Sequence, residues 1–436
     1  MNRRTILTVV LSLLSIAMFN HFKQKLHQHA DQYLHQPGQS PQTSQAPVPA
    51  PASGQSQGHR CVVYFCNWAI YARKHVPSQL PADRITHILY AFANIDPESG
   101  KVSLTDPWAD LDCQLGPEGA AGSNTELNED GHPRGGCLGQ FYKLKTDNPQ
   151  LRVLLSVGGW SYAANFARGV ETPQKRQTFV KSAVELVQKH AFDGLDFDWE
   201  YPNDSNQAQQ LVDLLRLARL ELDTLALRNN MARNQYDLTV ATAAGVDNFS
   251  KLDIRAMDQY LTFWNIMAYD FAGSWSQQSD LQANLYGNGI SADGAVRGYI
   301  SRGATPQKIV LGLPIYGRAF QNTSGLGKPF RGIGSGSWED GVWDYKALPL
   351  PDSKESVDKQ RVGAYCYNSK SQTLVSYDNL ETAQTKADYV RNSGLGGVMF
   401  WESSADKPSN SGQSLIVACT DRLSLQRHPN NLHCKH

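Results

Sequence analysis

The sequence predicts an α/β fold, a parallel (β/α)8 TIM barrel with a small α+β insertion between its seventh and eighth strands. Eight short, nearly continuous apolar runs recur along the chain, as strands buried on both faces require. Stretches of helical periodicity separate most of them, the crossover pattern of parallel strands. The 436 residues are enough for one such barrel with additions.

The predicted strands cover residues 61–65, 86–93, 151–157, a run ending at Pro202, and then 238–244, 263–269, 309–315 and 397–401. Helical periodicity is plain at 172–190, where Phe179, Val180, Ala183, Val184 and Val187 share one face, and again at 206–227. The stretch ahead of residue 151 breaks this rhythm. So does 317–380, rich in Gly, Trp and Tyr, which reads as an inserted domain. The barrel therefore spans 61–316 and 381–420, and 421–436 reads as a loose polar tail.

Residues 1–20 open with Met1-Asn2-Arg3-Arg4 and continue into an apolar run, the form of a secretory signal. That run serves either as a cleaved signal peptide, with a product released outside the cell, or as an uncleaved membrane anchor, with a product held at the surface. Residues 21–60 turn polar and then rich in Pro, Gln, Ser and Ala, a flexible linker or stalk. Lys plus Arg and Asp plus Glu both number 41, so nothing marks nucleic acid or an anionic membrane surface as a partner. The seven cysteines match no zinc spacing; export permits disulfides, and Cys113 with Cys137, which bracket a Gly-rich loop, form the expected pair. Acceptor patterns for N-glycans at Asn203, Asn248 and Asn322 agree with export.

The most informative stretch is Phe192-Asp193-Gly194-Leu195-Asp196-Phe197-Asp198-Trp199-Glu200-Tyr201-Pro202. A period of two puts Asp196, Asp198 and Glu200 on one face of a strand and Phe197, Trp199 and Tyr201 on the other. Asp193 falls outside that parity and is expected to support the strand base. Three carboxyls on one inward face repel one another unless they share a proton, which suits proton transfer near neutral pH. The flanking aromatics want burial, which argues against a solvated acidic edge. A calcium loop would need polar residues where Phe197 and Trp199 stand. Residue type alone leaves a magnesium site open; the favoured reading is catalytic carboxyls with no metal and no cofactor. Barrel sites lie at the C-terminal ends of strands, so Tyr64, Trp68, Phe92, Ser156, Trp160, Glu200, Met267, Tyr269, Asp270, Arg318 and Trp401 are candidates to line it.

The run Asp193-x-x-Asp196-x-Asp198-x-Glu200 resembles the DxxDxDxE signature of glycoside hydrolase family 18, the chitinases. Ser156-Val-Gly-Gly, Met267-Ala-Tyr269-Asp270, Leu313-Pro-Ile-Tyr316-Gly-Arg318 and Gly396-Gly-Val-Met-Phe-Trp401-Glu402 are similar to further blocks of that family, fungal members above all. The resemblance runs from about Cys61 to about Cys419. It implies that Glu200 is the acid and that Asp198 steadies the substrate acetamido group. It further implies that Asp196 stands behind Asp198 with Tyr64 and Ser156 as partners, that Tyr269 holds the acetamido oxygen, and that Trp401 is the floor under the scissile sugar. Many family members carry an inserted domain at the same place.

The implied reaction is hydrolysis of β-1,4 bonds in chitin or N-acetylglucosamine oligosaccharides by a monomer, with the sugar's own amide as nucleophile and configuration retained. Two alternatives belong to other classes. An endo-N-acetylglucosaminidase would cut N-glycans by related chemistry, and activity on a high-mannose glycoprotein would single it out. A chitin-binding lectin would keep the barrel but lack the acid.

Overall fold

The computed structural model describes residues 58–433, apart from 117–118, 125 and 130. They fall in the compact unit Pro49–His436; the other unit, Met1–Val48, lies outside the described residues, as do the amino-terminal signal and almost all of the linker. Eight strands form the barrel: β1 Arg60–Cys66, β2 His87–Ile95, β3 Arg152–Gly158, β4 Gly194–Asp198, β5 Asp237–Ala243, β6 Phe263–Met267, β7 Ile309–Pro314 and, after the insertion, β13 Gly397–Trp401. Each is hydrogen-bonded in parallel to the next, and β1 pairs with both β2 and β13, which closes the ring.

Alternation along each strand sorts the core into two parts. Val62, Tyr64 and Cys66 of β1 point into the barrel with Leu89, Leu154, Phe263, Val310 and Met399. Their neighbours Cys61, Val63 and Phe65 face outward into the larger core beneath the helices. This division follows from the period-two geometry of a strand.

The helices α1 Gly136–Asp147, α2 Pro173–Lys189, α3 Ser205–Arg228, α4 Ala292–Ser301 and α5 Leu380–Asn392 surround the barrel. Side-chain caps set their starts: Thr172 accepts from Lys175 N, Asp204 from Gln207 N and Asn379 from Thr382 N. Helix α1 lies in the stretch that broke the sequence rhythm. Its Gly136 and Gly139 hide the pattern, yet Cys137, Leu138 and Phe141 are buried.

The insertion is a five-stranded antiparallel sheet of β8 Tyr316–Phe320, β9 Val342–Asp344, β10 Lys354–Asp358, β11 Gly363–Asn368 and β12 Thr373–Tyr377, in the order β9-β8-β12-β11-β10.

The structure corrects three expectations. Strand β4 stops at Asp198 rather than running on toward Pro202: β3 ends at Gly158, the register partner of Asp198, and the chain turns away from β5 although that strand runs on to Ala243. Cys113 and Cys137 are free buried thiols. The Cys113 Sγ donates to Ala109 O at 3.7 Å, and the loop begins with an antiparallel hairpin of Cys113–Gly116 with Gly119–Ser123. The carboxyl-terminal segment is docked rather than loose: the Asn430 amide, fully buried, donates to Lys145 O, Asn148 O and Leu151 O at 2.9, 3.2 and 3.0 Å. Asn431 N donates to Asp193 Oδ1 at 2.7 Å, and the other Asp193 oxygen accepts from Val153 N and pairs with Lys145 at 2.8 Å. Asp193 thus ties the base of β4 to β3, α1 and the tail.

Candidate active site

Register assembles the centre. Ser156 of β3, Asp196 of β4 and Thr239 of β5 are in-register partners, so their side chains point the same way into the barrel. Asp196 is completely buried. Ser156 Oγ donates to its Oδ2 at 2.7 Å, and Tyr64 OH reaches the same oxygen from β1 at 2.9 Å. Thr239 Oγ1 and Asn265 Nδ2 donate to Oδ1 at 2.6 and 3.2 Å. Burial pushes the Asp196 carboxyl above the usual carboxylate range while the four bonds pull against it. Each oxygen receives two donors, an arrangement that suits an anion.

Asp198, one alternation further up β4, is 3 % exposed and its Oδ1 is buried without a hydrogen-bond partner. Burial, then the charge of Glu200, then that of Asp196, hold its carboxyl well above the ordinary range. The proton of the cluster therefore resides toward Asp198, away from Asp196 with its four donors. Glu200 stands just past the end of β4 and is partly exposed at the rim. The strand's parity ends with the strand. Leu195, Phe197 and Trp199 face the outer core as expected, but Tyr201, expected on that side too, hydrogen-bonds through its hydroxyl to Glu200.

Behind Asp198, Gly158 and Gly159 have φ of +111° and +77°. A Cβ on Gly158 would lie 2.3 Å from Asp198 O, and one on Gly159 would lie 2.6 Å from the Phe92 ring, so only glycine allows this approach.

Tyr269 lies beyond β6 in the space that Gly312 leaves, where a Cβ would meet its ring at 3.0 Å. Burial and then the Asp198 and Glu200 charges keep its phenol protonated, hence a donor. Asp270 is bound by Tyr316 OH at 2.6 Å and by the Arg318 fork, Nε at 2.7 Å and Nη2 at 2.6 Å. The Asp270 charge raises the Arg318 pKa further, and Trp275 lies under the guanidinium at 5.1 Å.

An aromatic wall completes the mouth. Trp401 packs edge-on to Tyr64 at 5.1 Å and nearly parallel to Phe92 at 5.7 Å. Trp68, 43 % exposed, lies against Phe92 at 6.2 Å, and Met267 packs on the same cluster. Trp160 is half-buried and opens the short 3-10 turn that follows Gly159. Among the described residues no group of three or more His, Cys, Asp or Glu side chains is arranged to hold a metal ion.

Sequence reasoning missed Thr239, Asn265 and Tyr201. The first two carried a signal: each is a polar residue inside an apolar strand, and each is wholly buried. Tyr201 carried none, because the parity that put it outside was sound up to the residue where β4 ends.

This wall of carboxyls beneath an aromatic mouth has counterparts. Residues 60–406 match the model of the glycosyl hydrolases family 18. The chain belongs to that family. It is 41% identical over 387 residues to endochitinase 1 of Metarhizium robertsii, covering 86% of this chain and 89% of that protein. It is 41% identical over 399 residues to chitinase 1 of Aphanocladium album, covering 90% and 91%. The fold superposes on a class V chitinase of Nicotiana tobaccum in complex with NAG4 with a TM-score of 0.69 at 25% identity, over 84% of this chain and 98% of that one. A family 18 glycoside hydrolase is an enzyme of glycosidic bond cleavage, and the acidic strand is where its acid chemistry is expected.

Proposed function

We propose that this chain hydrolyses the β-1,4 bonds between N-acetylglucosamine units of chitin, with the substrate's 2-acetamido group as the nucleophile and retention of configuration. The observation that carries the reading is the row Asp196–Asp198–Glu200, which climbs from the buried interior to the rim: the middle carboxyl is pushed up by burial and then by both neighbours, and the lowest is saturated with donors. The two fungal relatives are named chitinases, and the tobacco structure holds NAG4, which supports the substrate class.

The steps follow from charge. Glu200 gives its proton to the bridging oxygen as the bond to the anomeric carbon breaks. The acetamido oxygen attacks that carbon, and positive charge spreads onto the amide nitrogen. Asp198, left as an anion once the proton it shares with Glu200 has gone to the bridging oxygen, offsets the charge in a buried site where such an interaction is strong. Tyr269, kept protonated, donates to the acetamido oxygen and holds it in line. Water then opens the oxazolinium while Glu200 takes back a proton. Trp401 supplies an apolar floor for the sugar, and Trp68 and Trp160 offer faces for neighbouring units. The site is complete within one chain, which suits a monomer. Chitin lies outside the cell, which matches the basic and then apolar amino terminus; amino-terminal sequencing of the exported product decides between cleavage and anchoring.

Glu200→Gln tests the assignment. Hydrolysis of soluble N-acetylglucosamine oligomers should fall by about 10²–10⁴-fold or more, with binding retained in titration calorimetry. A variant that kept wild-type turnover would remove Glu200 from the chemistry.

A further inference from the structure

Arg73, in the segment after β1, has no part in the mechanism above, yet it binds two separate segments of the rim, 338–344 and 402–404. Its Nη1 lies 3.1 Å from Asp344 Oδ1, 3.4 Å from Glu402 Oε1 and 3.3 Å from Ser404 Oγ. Its guanidinium covers the Trp338 ring at 5.0 Å. Glu402 immediately follows Trp401; Asp344 ends β9 of the insertion and is the register partner of Tyr316, the residue that bonds Asp270. The two carboxyl side chains are only 5 % and 8 % exposed. Each has further partners: Trp338 Nε1 donates to Asp344 Oδ2 at 2.8 Å, Lys346 lies 3.4 Å from the same oxygen, and Ser404 N and Oγ donate to Glu402 at 3.0 and 2.5 Å. Two buried carboxylates from different parts of the chain that reach one guanidinium nitrogen are held by the charge they share. A planar guanidinium can serve both and stack on an indole as well, which an ammonium cannot.

We propose that Arg73 is a positioning residue for the sugar site: by holding Glu402 and Asp344 together it sets the tilt of Trp401 and seats the insertion sheet against the mouth of the barrel. The inference rests on the reading of Trp401 as the floor under the scissile sugar. Without the clasp, Glu402 keeps its Ser404 bonds and Lys346 still reaches Asp344 and, at 2.6 Å, Ser404 O, but the two acids lose the cation they share and the indole shifts against Tyr64 and Phe92. The insertion remains tied through the Asp270–Arg318 fork, so the defect is one of alignment rather than of loss of the domain.

The test compares Arg73→Ala, Arg73→Lys, Ser404→Ala and Trp401→Ala in the full chain, by steady-state kinetics on soluble N-acetylglucosamine oligomers. Each variant is also examined by thermal unfolding and near-ultraviolet circular dichroism. Arg73→Ala should lower kcat/KM by about 10–100-fold, the scale of a small misalignment remote from the chemistry. Its tryptophan dichroism should change, and millimolar guanidinium should restore part of the activity to this variant alone. Arg73→Lys should fall between it and the wild type. If Arg73→Ala does not fold, Arg73→Lys and Ser404→Ala carry the test, and a loss of kcat/KM with an unchanged melting temperature supports the clasp. Wild-type kinetics in Arg73→Ala, or in both of those substitutes, would overturn it while Trp401→Ala is impaired. An Arg73→Ala loss that guanidinium does not relieve would reduce Arg73 to a structural residue. If Trp401→Ala is itself unimpaired, the reading of the floor falls first and takes this inference with it.

Discussion

Asp196 and Asp198 are identical side chains two residues apart on one strand, and their surroundings give them different protonation. Four donors surround Asp196 from four strands, whereas Asp198 faces two carboxyls and keeps one oxygen without a partner. The difference fits the division of labour in the proposed reaction, with a fixed anion below and a group that exchanges charge above. Asp198→Asn removes the anion that would face the amide nitrogen and leaves the geometry nearly intact. Its kcat should fall by about 10²–10³-fold, roughly 3–4 kcal/mol in the barrier. Single-turnover kinetics with a soluble oligomer checks this, and a change in KM alone would place Asp198 in binding only. The identities of these acids were legible from their alternation with Phe197 and Trp199. The donors to Asp196 were only partly so, because Asn265 and Thr239 reach it only once β5 and β6 are laid beside β4 in register.

Individual elements show where periodicity stops being a guide. The run from Gly194 reads as a strand as far as Pro202, but pairing ends at Asp198, where β3 also ends and the chain leaves the sheet. The consequence is functional: Glu200 and Tyr201 leave the sheet and meet at the rim. The tail shows the opposite error. A polar sequence looked unable to pack, yet Asn430 satisfies three carbonyls at the closed end of the barrel, one of them at the C-terminus of α1. Asn430→Ala would take that donor from Lys145 O and Leu151 O, while Asn148 O keeps the Leu151 N bond, at about 2–4 kcal/mol. Urea unfolding should show a lower midpoint with an unchanged slope, and kcat/KM below the transition should stay at the wild-type value. Composition cannot reveal such a lock, because an asparagine reads as exposed until the carbonyls that need it are in place.

For the molecule as a whole, buried ionisable groups set the response to acid. His75 is pushed down to about 4 by burial and then by the Lys346 and Arg73 charges, so the folded protein keeps it neutral. The unfolded chain protonates it near 6.5. The folded pKa lies below the unfolded one, so the folded state binds fewer protons between those values and stability falls as pH drops through that window. His87, buried against Asp237 and Arg152, is lowered as well and acts in the same direction. Asp237 is lowered despite its burial, chiefly by Arg152 and by the His87 hydrogen bond; the stability it adds is present above the usual carboxylate pKa and is lost in stronger acid. Between pH 7 and pH 4.5, His75→Gln should lose less unfolding free energy than the wild type, by roughly 2 kcal/mol. Equal losses in urea titrations at the two pH values would show that His75 is not the group responsible.

The sequence by itself determined the barrel, the place of the insertion, the acidic strand and the family, because buried parallel strands and a carboxylate row leave periodic marks in adjacent residues. Only the tertiary structure decided which donors surround Asp196, where β4 ends, that the tail closes the base, and that Arg73 joins three distant segments. Those contacts form between residues far apart in the chain, and their energies depend on burial and on partners that no local pattern encodes.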